Sequence, residues 1–224
     1  MTALLEAKGL SFAYSGQECL LKNIDFNLSR GEIVGIMGDS GSGKTTFLNC
    51  LAGIIPHIYG GELKGSVMLL GEDISGMKLP GIAMKLGVLF QNPDTQLFSG
   101  AVEDDIVFGP ENLCLPWSEI DGNLKNALAA AGIDEDKRAV PPKSLSGGEA
   151  QLAALAAAIS LNPDVLLFDE AMSQLDRYGA YAVQACALKL KMEGKGIVMV
   201  EHDKRRLRIA DRILYLEKGG LRCG

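Results

Sequence analysis

Gly38-Asp39-Ser40-Gly41-Ser42-Gly43-Lys44-Thr45, with Thr46 directly after it, fits the pattern G-x-x-x-x-G-K-[ST]. The apolar run Ile33-Val34-Gly35-Ile36-Met37 comes immediately before it, as a buried parallel strand should. Phe47, Leu48 and Leu51 follow at helical spacing, and Gly53 is placed to end that helix. The glycines let main-chain N–H groups close around an anion at a distance that a Cβ would obstruct. Donors along such a loop and the positive end of the following helix both favour phosphate. Lys44 supplies a point charge for the outer phosphates, and Thr45 a hydroxyl for magnesium. Strand, glycine-rich turn and helix in this order predict nucleotide binding.

A length of 224 residues suits one α/β domain, or a domain with a subdomain, and buries a sizeable core. Lys and Arg number 22 against 28 Asp and Glu, a net charge of −6, so there is no general electrostatic footprint for nucleic acid. Phosphate binding must then be local, which the loop explains. Cys19, Cys50, Cys114, Cys186 and Cys223 are scattered without a C-x-x-C pair and read as reduced thiols, not as a disulfide framework or metal site. The start, Met1-Thr2-Ala3-Leu4-Leu5-Glu6, has an acid where a signal peptide carries its apolar core. The most apolar stretch, Leu152 to Leu161, falls far short of a bilayer span. These features predict a soluble, cytoplasmic chain whose membrane role, if any, comes through a partner.

Residues 3–37 read as short strands: Gly9 to Tyr14, Ile24 to Leu28 in alternation, then the strand into the loop. Val67 to Leu70 reads as another strand, closed by Gly71-Glu72-Asp73, and Leu86 to Phe90 is an apolar run ending at Gln91. From Asn92 to about Asn162 the texture changes. Pro93, Pro110, Pro116 and Pro141-Pro142 break it up, while Leu124 to Ala131 and Glu149 to Leu161 are strongly helical. Three short apolar runs follow, Val165 to Phe168, Ile197 to Val200 and Ile213 to Leu216, with helical stretches between them. That alternation predicts a mainly parallel sheet covered on both faces, interrupted by a mostly helical insert.

In open α/β sheets, ligands sit beyond the carboxyl ends of the strands. Met37 leads into the phosphate loop, Phe90 into Gln91, Phe168 into Asp169-Glu170, and Val200 into Glu201-His202. Asp169 matches the acid that holds magnesium in phosphate-loop nucleotidases, and Glu170 is placed to polarise an attacking water. His202 on its own says little. Lys204-Arg205-Arg206-Leu207-Arg208 is the only basic cluster and reads as a solvated helix face.

Leu145-Ser146-Gly147-Gly148-Glu149 contains a capping box, Ser146 and Glu149, opening a helix to about Leu161. Capping leaves unexplained two glycines in the first turn, which cost helix stability. They make sense where a phosphate must approach the helix start. Together with Gln151, this segment resembles the signature sequence of the nucleotide-binding subunits of ATP-binding-cassette (ABC) transporters. The order also resembles that family: phosphate loop, Gln91, signature, Asp169-Glu170, Ser173-Gln174-Leu175-Asp176 as the D-loop, and His202 as the switch histidine. Tyr14 resembles the aromatic that stacks on adenine, and an aromatic there serves a core equally well. The resemblance implies a P-loop ABC cassette: a RecA-like core over 1–91 and 163–224, with an N-terminal antiparallel β subdomain, and a helical subdomain over 92–162 carrying the signature.

A narrower resemblance lies in Gln91-Asn92-Pro93-Asp94-Thr95-Gln96-Leu97-Phe98-Ser99, with Val102 to Ile106 and Phe108 to Leu113 behind it. These segments look like the ATPase subunits of energy-coupling-factor importers, including the cobalt and nickel types. In those systems paired ATPases work beneath a transmembrane coupling subunit, and a separate membrane protein recognises the vitamin or metal. Leu152 departs from the usual arginine after the signature glutamine, and Ala171 from a common proline. The ending at Gly224 lacks the C-terminal extension of many members, so a stable nucleotide-free dimer is not expected.

The resemblance implies ATP and Mg2+ held at the seam of a head-to-tail homo- or heterodimer. Lys44, the loop residues Gly38 to Thr46, Gln91 and Asp169 would hold triphosphate and metal, the metal through Thr45, Gln91 and Asp169. Ser146, Gly147 and Gly148 of the other subunit would close on the γ-phosphate, with Glu170 orienting water, His202 contacting the γ-phosphate and Asp176 coupling the sites. Three other readings stay open: a mechanical ATPase acting on nucleic acid or ribosomes, a small-molecule kinase, and a non-hydrolysing binder. The kinase leaves the signature unexplained, and Glu170 with His202 disfavours the binder.

Overall fold

A computed structural model describes residues 3–223, so the readings of Met1, Thr2 and Gly224 fall outside the described residues. In chain order the elements are β1 (Leu5–Ala13), β2 (Leu21–Leu28), β3 (Ile33–Met37), α1 (Lys44–Leu51), α2 (Ile54–His57), β4 (Glu62–Leu69), β5 (Glu72–Asp73), α3 (Leu79–Ala83) and β6 (Leu86–Leu89). There follow α4 (Val102–Asn112), α5 (Trp117–Ala131), α6 (Gly147–Ile159), β7 (Val165–Asp169), α7 (Arg177–Met192), β8 (Gly196–Val200), β9 (Arg212–Glu217) and β10 (Gly220–Cys223). A four-stranded antiparallel sheet has the order β2-β1-β4-β5, and a six-stranded sheet the order β10-β9-β3-β8-β7-β6. In the larger sheet all neighbours are parallel except β10, which folds back on β9.

Side-chain alternation along the central strands separates two cores. Val34, Ile36, Val165, Leu167, Val198 and Val200 pack with α1 and the smaller sheet, whereas Ile33, Leu166, Phe168, Ile197 and Met199 pack with α4 to α7. Because both faces are covered, β7 and β8 are buried along their whole length and read as unbroken apolar runs.

Several boundaries differ from the sequence expectation, each for a local reason. The first strand starts at Leu5, not Gly9, because register shifts after Ala7 and after Leu10 break its alternation. Pro110 does not break the insert but lies inside α4, in its last turn; the i→i−4 bond it forfeits affects only the end of the helix, with Glu111 and Asn112 beyond it. Phe90 lies beyond β6, its N–H donating to the Gln96 side chain at 2.9 Å while Gln96 Nε2 donates to Val88 O at 3.0 Å. That side-chain amide covers the open edge of the sheet at β6 as a short strand would. The basic cluster is solvated at Lys204, Arg205 and Arg208, as expected, but it is not an α-helix. It is a 3-10 turn (Lys204–Leu207) with Leu207 buried and Arg206 turned inward, donating to Ser173 O at 3.2 Å.

Candidate active site

Strands β3, β8, β7 and β6 are consecutive in the sheet, and their register aligns Ile36 with Val200, Val200 with Asp169, and Phe168 with Leu89. The turns leaving these strands therefore share one edge. The phosphate loop occupies the turn after β3. Lys44 lies back across it, its Nζ donating to Gly38 O at 2.9 Å and Asp39 O at 3.0 Å. The main chain of the loop so positions the one ammonium it encloses. A Cβ at Gly38 would stand 2.6 Å from Leu216 O, a backbone atom that cannot yield, so β3 and β9 impose glycine there. Gly43 caps α1 with φ 98°, also closed to ordinary side chains.

Thr45 Oγ1 donates to Asp169 Oδ1 at 3.2 Å, joining the start of α1 to the end of β7. Burial pushes the Asp169 carboxyl above the usual carboxylate range, opposed by the Thr45 hydroxyl and raised further by the Glu170 charge. Glu170 lies between Lys44 and His202, with Oε1 at 3.8 Å from Lys44 Nζ and Oε2 at 3.5 Å from His202 Nδ1. Gln91 Nε2 donates to Ser173 Oγ at 3.1 Å, so the turns after β6 and β7 are linked as well. The described side chains thus bring Lys44, Thr45, Gln91, Asp169, Glu170 and His202 to one place.

Other expected residues sit differently. The Tyr14 and Thr46 hydroxyls share a hydrogen bond at 3.1 Å, and the Tyr14 ring meets Phe12 edge to face, so both Tyr14 and Thr46 are engaged within the chain. Asp39 meets Lys44 through its carbonyl, and Ser40 is exposed. Asp176 is the N-cap of α7, accepting from Gly179 N at 2.8 Å. Ser146 caps α6 in a complete capping box, and its hydroxyl also donates to Glu149 Oε2 at 2.7 Å. The Ser146 N–H, then its hydroxyl and Lys137 hold the Glu149 carboxyl below its ordinary range. Ser146, Gly147 and Gly148 open with Leu152, Asp176 and Tyr178 onto a groove of about 460 Å³, and no residue of the phosphate loop lines it. Ala171, at the other departure, is buried.

These residues fit a triphosphate with a divalent cation. Ser42 Oγ is buried in the loop with no hydrogen-bond partner among the described residues, a donor awaiting an acceptor. Thr45 and Asp169 offer oxygen, the donor type that magnesium takes.

A family model described as ABC transporter matches residues 21–173. The chain belongs to the ABC transporter family. It is 39% identical over 217 residues to the energy-coupling factor transporter ATP-binding protein EcfA of Methanosarcina acetivorans, covering 96% of this chain and 77% of that one. Among solved structures, cbiO1 of Clostridium perfringens, part of the ABC transporter complex cbiONQ, superposes with TM-score 0.88 at 29% identity, covering 99% of this chain and 87% of that one. The cassette MJ0796, a dimer in a post-hydrolysis state bound to ADP and Pi, superposes with TM-score 0.82 at 26% identity, covering 97% and 96%. The fold is that of an ABC cassette, and its activity is ATP hydrolysis.

Within this ABC cassette, Gln151, read in the sequence only as part of the signature, and Glu201 hold the site without entering it. Gln151 Nε2 reaches from the signature helix to Phe90 O at 2.9 Å, just before Gln91. Glu201, named only as the neighbour of His202, is 1% exposed, and burial pushes its carboxyl up to about 7. A glutamate directly after five buried strand residues was the available signal.

Proposed function

We propose that this cassette is the ATP-hydrolysing subunit of an energy-coupling-factor type importer for a small solute, a metal ion or a vitamin. It works as a head-to-tail pair, with itself or a related subunit, beneath a transmembrane coupling subunit, while a separate membrane subunit recognises the solute. Its place is the cytoplasmic face of the membrane, where those partners hold it; no described helix is long and apolar enough to cross. Residues 1–91 and 163–224 form the catalytic core, and 92–162 the helical unit that carries the signature and meets the membrane partner.

The observation that carries the paired arrangement is Gly147. A Cβ there would meet nothing of its own chain within 4 Å, so no packing within the chain explains a glycine in the first turn of α6. An anion brought by another copy explains it. The phosphate loop, Lys44 and Gln91 hold the triphosphate, and Thr45, Gln91 and Asp169 hold magnesium, which would neutralise charge developing on the phosphates. Glu170 orients the attacking water and takes up its proton, His202 steadies the outer phosphate, and Ser146 to Gly148 of the second copy complete the site. Positioning accounts for most of the rate, so closure alone switches hydrolysis on. The relatives named for the energy-coupling factor and for cbiONQ support the importer class.

The test combines ATP turnover without an added acceptor and affinity purification from detergent-solubilised membranes. Acceptor-free turnover and a stable complex with integral membrane subunits are expected. Turnover only with a small acceptor, or salt-dependent capture by DNA or RNA without membrane subunits, would point instead to a kinase or a mechanical ATPase.

A further inference from the structure

Glu201 is a carboxylate with almost no contact with water, one residue before His202, and the site chemistry makes no use of it. Its Oε1 accepts from Met172 N at 3.2 Å. Its Oε2 faces Arg206 Nη1 at 3.6 Å, and both atoms are buried with no hydrogen bond. Arg206 uses its other nitrogen, Nη2, to donate to Ser173 O at 3.2 Å. Gln184 of α7 fixes this turn from behind, donating through Nε2 to Arg206 O at 3.0 Å and accepting from Arg208 Nε at 3.1 Å. From the opposite side Gln91 Nε2 donates to Ser173 Oγ at 3.1 Å.

Met172 and Ser173 belong to the segment joining Glu170 to the N-cap Asp176. That segment has no regular structure, and it is gripped by a buried acid and a base from the turn after β8. Burying an unsatisfied carboxylate is expensive, so a side chain serving only to fill space here would be apolar. Glutamate is explained if the main-chain N–H of Met172 needs a fixed acceptor and the guanidinium a polar neighbour.

We propose that Glu201 and Arg206 are positioning residues that clamp segment 171–176, setting Glu170 at its head and Asp176 at its foot against His202. Glu201 fixes Met172 directly, and Arg206 spans the gap between Glu201 and Ser173. Both residues sit in the turn that carries His202, so the clamp ties the water-orienting glutamate and the histidine to one rigid unit. A displacement of about 1 Å at a reacting group costs on the order of 10²-fold in rate, so a clamp outside the chemistry suffices to govern it. The planar fork of arginine spans two acceptors, and lysine cannot replace it. The catalytic consequence rests on the reading of Glu170 as the base; the clamp itself does not.

The experiment measures hydrogen exchange of peptides covering 171–176, with kcat and KM for ATP, in E201A, E201Q, R206A, R206K and the control R205A. Arg205 is solvent-exposed and bonds only to Asp203 among the described residues, so R205A should match the parent throughout. E201A, R206A and R206K should exchange faster over 171–176, with kcat down roughly 10- to 100-fold and KM within about twofold. E201Q keeps an acceptor for the Met172 N–H, so protection and most of kcat should return. Because it is isosteric, it also serves if E201A does not fold. Parent-like exchange in E201A and R206A overturns the clamp; faster exchange with unchanged kcat overturns its positioning role. Were Glu170→Gln to leave turnover intact, the reading of Glu170 would fall, while the exchange result would still judge the clamp.

Discussion

Glu170 adopts φ 48°, a left-handed conformation uncommon for a residue with a side chain. The turn is held because Glu170 N donates to Val200 O at 3.0 Å and Glu170 O accepts from Ser173 N at 2.9 Å. Local strain at this position is compensated by these two bonds, one to Val200 of β8 and one from Ser173, and it places the carboxylate between Lys44 and His202. Glu170→Gln preserves shape and removes the proposed base. ATP binding by nucleotide titration should persist, while hydrolysis drops about 10²-fold or more; turnover near the parent rate would take Glu170 out of that role. Glu201 supplies a separate, pH-dependent observable. Its folded-state carboxyl titrates at about 7 against an ordinary 4.5, because burial disfavours the charged form. The folded chain therefore keeps a proton that the unfolded chain releases between about pH 4.5 and 7, so this group's contribution to stability falls as pH rises through that window and is level above it. The full span is on the order of 3 kcal/mol. Glu201→Gln removes the titration, so thermal melts at pH 5 and pH 8 should show the variant gaining on the parent at the higher pH. An unchanged gap between the two would contradict a buried, proton-holding Glu201.

At the scale of elements, the sequence is most legible where one rule acts alone. The run from Ile33 through Lys44 is strand, glycine turn and helix because buried apolar residues and obligatory glycines leave no alternative. The buried strands β7 and β8 are legible for the same reason. Legibility fails where tertiary contacts override local preference. Pro110 is a breaker in isolation but is accommodated by the packing of α4 on α6. Arg206 reads as surface charge but is drawn inward by Glu201, a partner that no pattern in 204–208 reveals. Gln96 covering β6 is invisible without the strand order. Helix α6 shows both cases: its capping box is readable, whereas its seat on β6 depends on Gly87, where a Cβ would stand 2.4 Å from Ala158 O. The start of that helix is capped by Ser146 and otherwise open to solvent. Ser146→Arg should abolish hydrolysis and leave ATP affinity of the isolated chain within about twofold, since no phosphate-loop residue lines the groove at Ser146. A collapse of affinity, measured by titration at concentrations that keep the chain monomeric, would place the signature beside its own phosphate loop.

At the scale of the molecule, a six-stranded sheet covered on both faces gives a platform whose carboxyl edge carries the phosphate loop, Asp169 and Glu170, while the insert presents Ser146 to Gly148 in a separate groove. On the proposed reading, a closed pair related by a two-fold axis would build each site from the phosphate loop of one copy and the signature of the other. This geometry has a consequence that no arrangement within a single chain shares. In a pure Lys44→Ala preparation both sites lack the lysine, and in a pure Ser146→Arg preparation both lack a usable signature, so each should be inactive. In a mixed pair the two defects fall in the same site, and the second site combines an unaltered Lys44 with an unaltered Ser146. Random mixing makes half the pairs mixed, with one sound site of two, so recovery should approach about a quarter of parent activity if sites act independently. Less recovery with a clear rise above both pure variants would report coupling between the sites. Were mixing to restore nothing, although ATP still drives mixed pairs together in a sedimentation experiment, each site would have to lie within one chain.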